Sequence, residues 1–262
     1  MKILLLLFIF FTGAGMGSFA CCQAQRVRLK ETKKKKLGDR SVCLNCGYQL
    51  RWFDNIPIFS WIFLGGRCRK CHKKIGAAEI LAEIFTGVMF LAVFFRGVMA
   101  LGTGPVETTE VFRLIILAMM MAVLTFLGVH DAKWGELPNG GLILANVFGV
   151  VAFILQLIQS ENIVQDIIST IIGVGILAGT YYILYKVSQE KWVGGGDWIL
   201  CLALSLALGN WWLCLWVMCL ANVLGCIVML PRKKKKVYFG PFLIAAFVIA
   251  LFFSPEILQI LF

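Results

Sequence analysis

The chain has 262 residues, is 60% hydrophobic and only 15% charged, and carries a formal net charge of +11. A mean hydropathy of +0.86 excludes an ordinary soluble domain of this length. The positive charge does not point to nucleic acid: Lys and Arg clusters beside apolar runs reflect membrane topology and attraction to anionic headgroups, and no aromatic–basic interleaving occurs outside one cysteine-containing loop.

Apolar runs recur at roughly 3–22, 79–99, 111–130, 140–159, 166–187, 197–209, 211–230 and 240–262, and most reach the ~20 residues a helix needs to cross a bilayer. The expectation is an all-α polytopic membrane protein with about eight transmembrane helices. Six or seven are the alternatives, because the run at 197–209 is short and separated from the next only by Gly209-Asn210-Trp211-Trp212. The chain divides into a first transmembrane helix (1–23), a loop (24–76) and a membrane core (77–262).

The first ten residues, followed by small residues up to Ala20, have the outline of a signal peptide. The strongly basic segment after them disfavours translocation, so the helix is expected to be retained. Threading eight helices alternately places every Lys and Arg except Lys2, Arg96 and Arg113 on one side. The positive-inside rule makes that side cytoplasmic and both termini outward.

The loop opens with the charged stretch Lys30–Gly38 and then carries Cys43-Leu-Asn-Cys46 and Cys68-Arg-Lys-Cys71. Two Cys-x-x-Cys pairs at this separation form the pattern of a four-cysteine Zn²⁺ site, structural because four thiolates leave no open coordination position. On the cytoplasmic side thiols stay reduced, which favours metal over disulfide. His72 reads as a surface residue, and Cys21, Cys22, Cys201, Cys214, Cys219 and Cys226 as small core residues. The aromatic segment Trp52–Trp61 contains a turn at Asp54-Asn55. Glu79 and Glu83 follow at a spacing of four, on one face of the second membrane helix.

In the membrane core two aspartates stand at the ends of apolar stretches, Asp131 and Asp197. Ionisable residues there are costly and are by default candidates for function. Both fall at the cytoplasmic ends of their helices in the threading above. Two carboxylates from separate segments suit a hydrolytic pair that shares a proton and activates water. Gly194, Gly195 and Gly196 precede Asp197 and would give a mobile loop that lets a substrate backbone approach. Pro138 would start the next helix after Asp131. His130 reads as an interfacial residue and Glu136 as a turn residue, while Phe239-Gly240-Pro241 reads equally as part of a substrate groove or as a helix entry.

Taken in order, these residues resemble the type IV prepilin peptidases. The resemblance rests on Gly17-Ser-Phe19, the two Cys-x-x-Cys pairs, Asp54–Trp61, Gly65-Gly-Arg-Cys68, Glu83, Asp131 with Pro138-Asn139, Gly194–Asp197 and Phe239–Phe242, and spans nearly the whole chain. It implies a Gly-x-Gly-Asp-type aspartic protease of the bacterial inner membrane. Such an enzyme cuts the short basic leader from prepilins and pseudopilins after a glycine on the cytoplasmic side, with Asp131 and Asp197 as the catalytic pair. It also implies N-methylation of the new N-terminus with S-adenosylmethionine, associated with the cytoplasmic loop; Glu83 is a candidate for that cofactor's site. The chain departs from the family pattern at Cys21, at Ile199 and at Ala78-Glu79-Ile80, and has no Gly-rich nucleotide fingerprint. The partners expected are prepilin-type substrates and membrane lipid, with no nucleic acid and no indication of oligomeric state. The rival readings are an ion transporter, disfavoured because both aspartates lie at the membrane edge rather than near its midplane, and a non-catalytic assembly factor, which needs neither aspartate.

Overall fold

The computed structural model describes residues 2–31, 41–43, 45–101, 108–190, 193–229 and 238–253. The expected basic stretches at 32–40 and 232–236, Lys191 and the end of the last apolar run lie outside these residues. The helices are α1 (Lys2–Glu31), α2 (Phe59–Phe63), α3 (Ala77–Leu101), α4 (Thr108–Trp134), α5 (Asn139–Ile158), α6 (Ile163–Val174), α7 (Thr180–Ser188), α8 (Gly195–Leu208), α9 (Trp211–Met229) and α10 (Gly240–Phe252). A π turn, Gly175–Gly179, makes α6 and α7 one continuous apolar helix.

So far as their residues are described, the eight apolar runs are helical. Among the described residues six helices are long and apolar enough to cross a membrane, while Gly195–Leu208 and Gly240–Phe252 are shorter. The chain is therefore an all-α, multi-pass membrane protein. Among the described residues extended structure is limited to two isolated antiparallel bridges.

The chain forms two compact units, Met1–Ala92 and Val93–Phe262. In the first, α1 and the start of α3 approach closely through small residues. A Cβ at Gly13 would lie 2.8 Å from the Phe90 Cβ and the Thr86 carbonyl oxygen, and one at Gly17 would lie 2.7 Å from the Ala82 carbonyl oxygen. Gly87 answers from α3, 2.7 Å from the Phe10 ring by the same measure. Lipid gives helices no hydrophobic reason to associate, so close backbone packing of this kind is what joins them.

In the second unit α5 packs between α4 and α8, and α10 meets α4, α8 and α9. Leu124, Leu127, Leu200, Leu204, Leu243 and Phe247 form the buried centre. Gly149 allows α5 and α8 to touch, since a Cβ there would fall 2.7 Å from the Ala203 carbonyl oxygen. Asn146 on α5 donates to the Ile199 carbonyl (3.1 Å) and so fixes the first turns of α8. Cys201 and Cys214 are buried, whereas Cys219 and Cys226 face outward from α9 and are not core residues.

Candidate active site and metal centre

In the first unit the two Cys-x-x-Cys pairs sit at the tips of matching hairpins, each pinned by one bridge, Val42 to Gln49 and Arg67 to Lys74. Cys43 N–H donates to the Tyr48 carbonyl (2.8 Å) and Cys68 N–H to the Lys73 carbonyl (2.9 Å). The residue after each second cysteine has positive φ, Gly47 at 72° and His72 at 52°. His72 is thus exposed and serves as a turn residue in the place where the first hairpin has glycine.

The four Sγ atoms of Cys43, Cys46, Cys68 and Cys71 lie within 4.8 Å of one another. The Cys43–Cys71 and Cys46–Cys68 separations are 3.8 and 4.0 Å. Tetrahedral Zn–S bonds of about 2.3 Å require S···S distances of about 3.8 Å, so the cluster fits Zn²⁺. Lys73 N–H, and then the Asn45 amide, hold the Cys71 thiol down at about 6, which makes it a ready thiolate. Asn45 donates to Cys71 Sγ (3.5 Å) and accepts from Lys73 Nζ (2.9 Å), linking the hairpins.

Between the hairpins the 3₁₀ turn Trp52–Asn55 buries Asp54. Its carboxylate accepts from Arg51 N–H (3.1 Å), the Tyr48 hydroxyl (3.4 Å) and Arg69 Nε (2.8 Å). Asp54 therefore ties the segment to both hairpins. Glu83, one turn deeper in α3 than Glu79, is buried and accepts the Ile58 N–H at 2.7 Å. A cavity of about 670 Å³ lies among α1, the hairpins, α2 and the start of α3, with Ser18, Gln25, Asn55, Trp61 and Glu83 among its walls. Its size suits a nucleoside-bearing ligand.

In the second unit Asp131 ends α4, 5% exposed, and Asp197 stands in the first turn of α8, 7% exposed. Their charges interact directly. Asp131 Oδ2 accepts the N–H of Gly240 at 2.9 Å, where α10 begins. Asp197 Oδ2 accepts the N–H of Gly194 at 3.0 Å, while its own N–H donates to the Gly194 carbonyl at 3.1 Å. Each carboxylate is thus fixed through Oδ2, and no hydrogen bond to either Oδ1 is made among the described residues.

The glycines before Asp197 serve the protein's own packing. A Cβ at Gly196 would meet the Leu137 Cβ at 2.8 Å, and one at Gly195 the Tyr185 ring at 3.3 Å. Pro138 caps α5, accepting from Gly141 N–H (3.0 Å) and Leu142 N–H (3.1 Å). His130 is not interfacial. It is fully buried, with Nδ1 2.7 Å from the Glu136 carbonyl, and so pins the turn between α4 and α5. Gly240, expected to be part of a groove or a helix entry, instead holds Asp131; its signal in the sequence is its place in Phe239-Gly-Pro-Phe242.

Residues 118–230, which hold both aspartates, match the type IV leader peptidase family, and residues 11–97, which hold the four cysteines and Glu83, match the bacterial peptidase A24 N-terminal domain. A prepilin leader peptidase/N-methyltransferase of Burkholderia pseudomallei is 30% identical over 233 residues, covering 82% of this chain and 67% of that protein. The chain belongs to the type IV leader peptidase family. It is accordingly an enzyme, a leader peptidase embedded in a membrane. Proteins of the same name from Dichelobacter nodosus and Myxococcus xanthus are each 29% identical over 84% of this chain, which spans 73% and 61% of their lengths. No solved structure matches. Gly240 lies beyond the residues 118–230 matched by the leader peptidase family.

Proposed function

We propose that this leader peptidase removes the short basic leader of type IV prepilins or pseudopilins and N-methylates the new N-terminus. The observation that carries the first activity is the pair of buried aspartates on separate helices, each held through Oδ2 by a glycine N–H. The ionised member takes a proton from water, and the resulting hydroxide attacks the scissile carbonyl carbon. The protonated member donates a hydrogen bond to the carbonyl oxygen. As the C–N bond breaks, a proton passes to the leaving amine, giving a leader that ends in a carboxylate and a free N-terminal amine. The roles belong to the pair as a unit. The Lys and Arg distribution supports a site at the cytoplasmic face of the bacterial inner membrane, where a substrate's apolar helix would stay in lipid while its basic leader reached the aspartates.

The second activity is assigned to the Met1–Ala92 unit. Zn²⁺ held by Cys43, Cys46, Cys68 and Cys71 would fold residues 41–76. S-adenosylmethionine, when bound, supplies an electrophilic methyl group on a sulfonium. The cavity residues Trp61, Asn55, Gln25 and Ser18 would hold it, and Trp61 Nε1 is a buried donor that meets no acceptor among the described residues.

Cleavage of a tagged prepilin in membranes, with mass spectrometry of the product's N-terminus, tests both activities. Asp131→Asn and Asp197→Asn should each lower cleavage by about 10²–10⁴-fold with the protein still folded. Unchanged cleavage in either variant would remove the two-aspartate mechanism. An unmethylated product from the wild type, with S-adenosylmethionine present, would remove the second activity.

A further inference from the structure

The Met1–Ala92 unit contains a carboxylate that the cleavage chemistry does not use. Glu83 is 8% exposed, lines the cavity, and has no Lys or Arg ion-pair partner among the described residues. Its two acidic neighbours are differently placed. Asp54 is engaged by the Tyr48 hydroxyl, the Arg51 N–H and the Arg69 guanidinium, and Glu79 Oε1 accepts from Gln25 Nε2 at 3.2 Å. A buried carboxylate without a cation is costly, and on a cavity wall it is a natural place for a ligand's positive charge.

The backbone around Glu83 is arranged to keep it there. Ile58 has φ 66° and ψ −55°, and Phe59 N–H donates to the Pro57 carbonyl at 2.7 Å. Pro57-Ile58-Phe59 is therefore a positive-φ γ-turn, rare and strained, centred on a β-branched residue. The Ile58 N–H exposed by that turn is the one that reaches Glu83 Oε2. The Phe59 ring stacks on Phe11 of α1 with centroids 5.5 Å apart. Strain of this kind persists where the surroundings over-determine it, and it concentrates at functional sites.

We propose that Glu83 binds the newly exposed N-terminal ammonium of the substrate and accepts its proton for methyl transfer. This rests on the N-methyltransferase reading above. An ammonium has no lone pair, so one N–H proton must leave before the nitrogen can react. Glu83 takes that proton. The nitrogen lone pair then forms the N–C bond to the methyl carbon while the C–S bond breaks, its electron pair staying on sulfur. The products are a methylated ammonium and a neutral thioether, and Glu83 returns its proton to solvent. The Ile58 N–H fixes the carboxylate through Oε2 and leaves Oε1 for the amine, with the Ser18 side chain also within reach.

Glu83→Gln separates this role from structural support, because the amide oxygen can still accept the Ile58 N–H while the charge is gone. The experiment uses full-length protein in nanodiscs, with zinc content and thermal melting as folding controls. Binding is measured for S-adenosylmethionine and for a short peptide starting at the mature N-terminus, with its amine free or acetylated. The wild type should prefer the free amine by about tenfold or more, the worth of a charge-assisted hydrogen bond. Glu83→Gln should lose that preference, keep its affinity for S-adenosylmethionine, and methylate about 10²–10⁴-fold more slowly. Glu83→Asp should restore part of the preference. The proposal is overturned if Glu83→Gln retains the preference and the rate, which would leave Glu83 as an anchor for the γ-turn alone. It is also overturned if S-adenosylmethionine affinity falls instead, which would place the carboxylate against the sulfonium. A wild type that binds S-adenosylmethionine but leaves the amine unmethylated would instead refute the underlying methyltransferase reading.

Discussion

Replacing Gly240 with alanine tests how Asp131 is held. The added Cβ would lie 2.7 Å from Asp131 Oδ2, 3.3 Å from its Cγ and 3.5 Å from its Cβ. The first of these is closer than real Cβ atoms come to a neighbour, so the carboxylate must shift or α10 must retreat. Gly240 has no positive φ, so the effect comes from space and not from backbone strain. Either movement lengthens the 2.9 Å bond from Gly240 N–H to Oδ2, a hydrogen bond to a charged group worth about 1.5–3 kcal/mol. If that amount is lost from the transition state, cleavage slows about 10- to 150-fold. The assay is the initial rate of prepilin cleavage in membranes at matched protein levels. Gly140→Ala is the control: nothing lies within 4 Å of its Cβ in the exposed first turn of α5, and its rate should match the wild type. Wild-type cleavage by Gly240→Ala would show that Asp131 does not act from the position this N–H defines.

The four-cysteine loop yields two further tests. His72→Gly relieves a left-handed conformation that costs an L-residue about 1–2 kcal/mol, so zinc affinity in chelator competition should hold or tighten; a tenfold loss would instead make His72 a ligand. In zinc-stripped protein at pH 7, alkylation followed by peptide mass spectrometry should modify Cys71 first and Cys46 last. Cys71 titrates at about 6, below the assay pH, because Lys73 N–H and Asn45 stabilise its thiolate. Cys46 is pushed up to about 11: Tyr48 N–H favours its thiolate, but some loss of hydration and the neighbouring thiols Cys71, Cys43 and Cys68 outweigh that. Equal rates at the two cysteines would refute this ordering.

The membrane architecture was legible in the sequence because a bilayer imposes a length and an apolar composition on each crossing. The four cysteines were legible because ligand spacing is local. What could not be read depends on contacts between distant residues. Glu83 meets Ile58 across 25 positions, and Asp131 meets Gly240 across 109. His130 was expected at the interface; it is buried because the turn at Gly135, φ 71°, brings the Glu136 carbonyl back over its ring. Gly195 and Gly196 looked like room for a substrate, yet Tyr185 and Leu137 occupy that room, and nothing local in the sequence identifies either partner.

The two aspartates nevertheless share one device. Each is bound through Oδ2 by the N–H of a glycine at a helix start, Gly194 for α8 and Gly240 for α10. At Asp197 the device is local, closed across three residues, and the sequence displays it as Gly-Gly-Gly-Asp. At Asp131 the same device is assembled from two helices far apart in the chain, so the sequence shows an aspartate at one place and an unexplained Phe-Gly-Pro at another. A glycine N–H can hold a carboxylate at under 3.1 Å from the backbone alone, with no side chain between Oδ1 and an approaching water or peptide. The two positions differ in what they tolerate: a Cβ at Gly194 would rest at an ordinary 3.5 Å from Asp197 Oδ2, whereas one at Gly240 would fall 2.7 Å from Asp131 Oδ2. The requirement for a missing side chain is therefore strict at Gly240, where Asp131 itself fills the space.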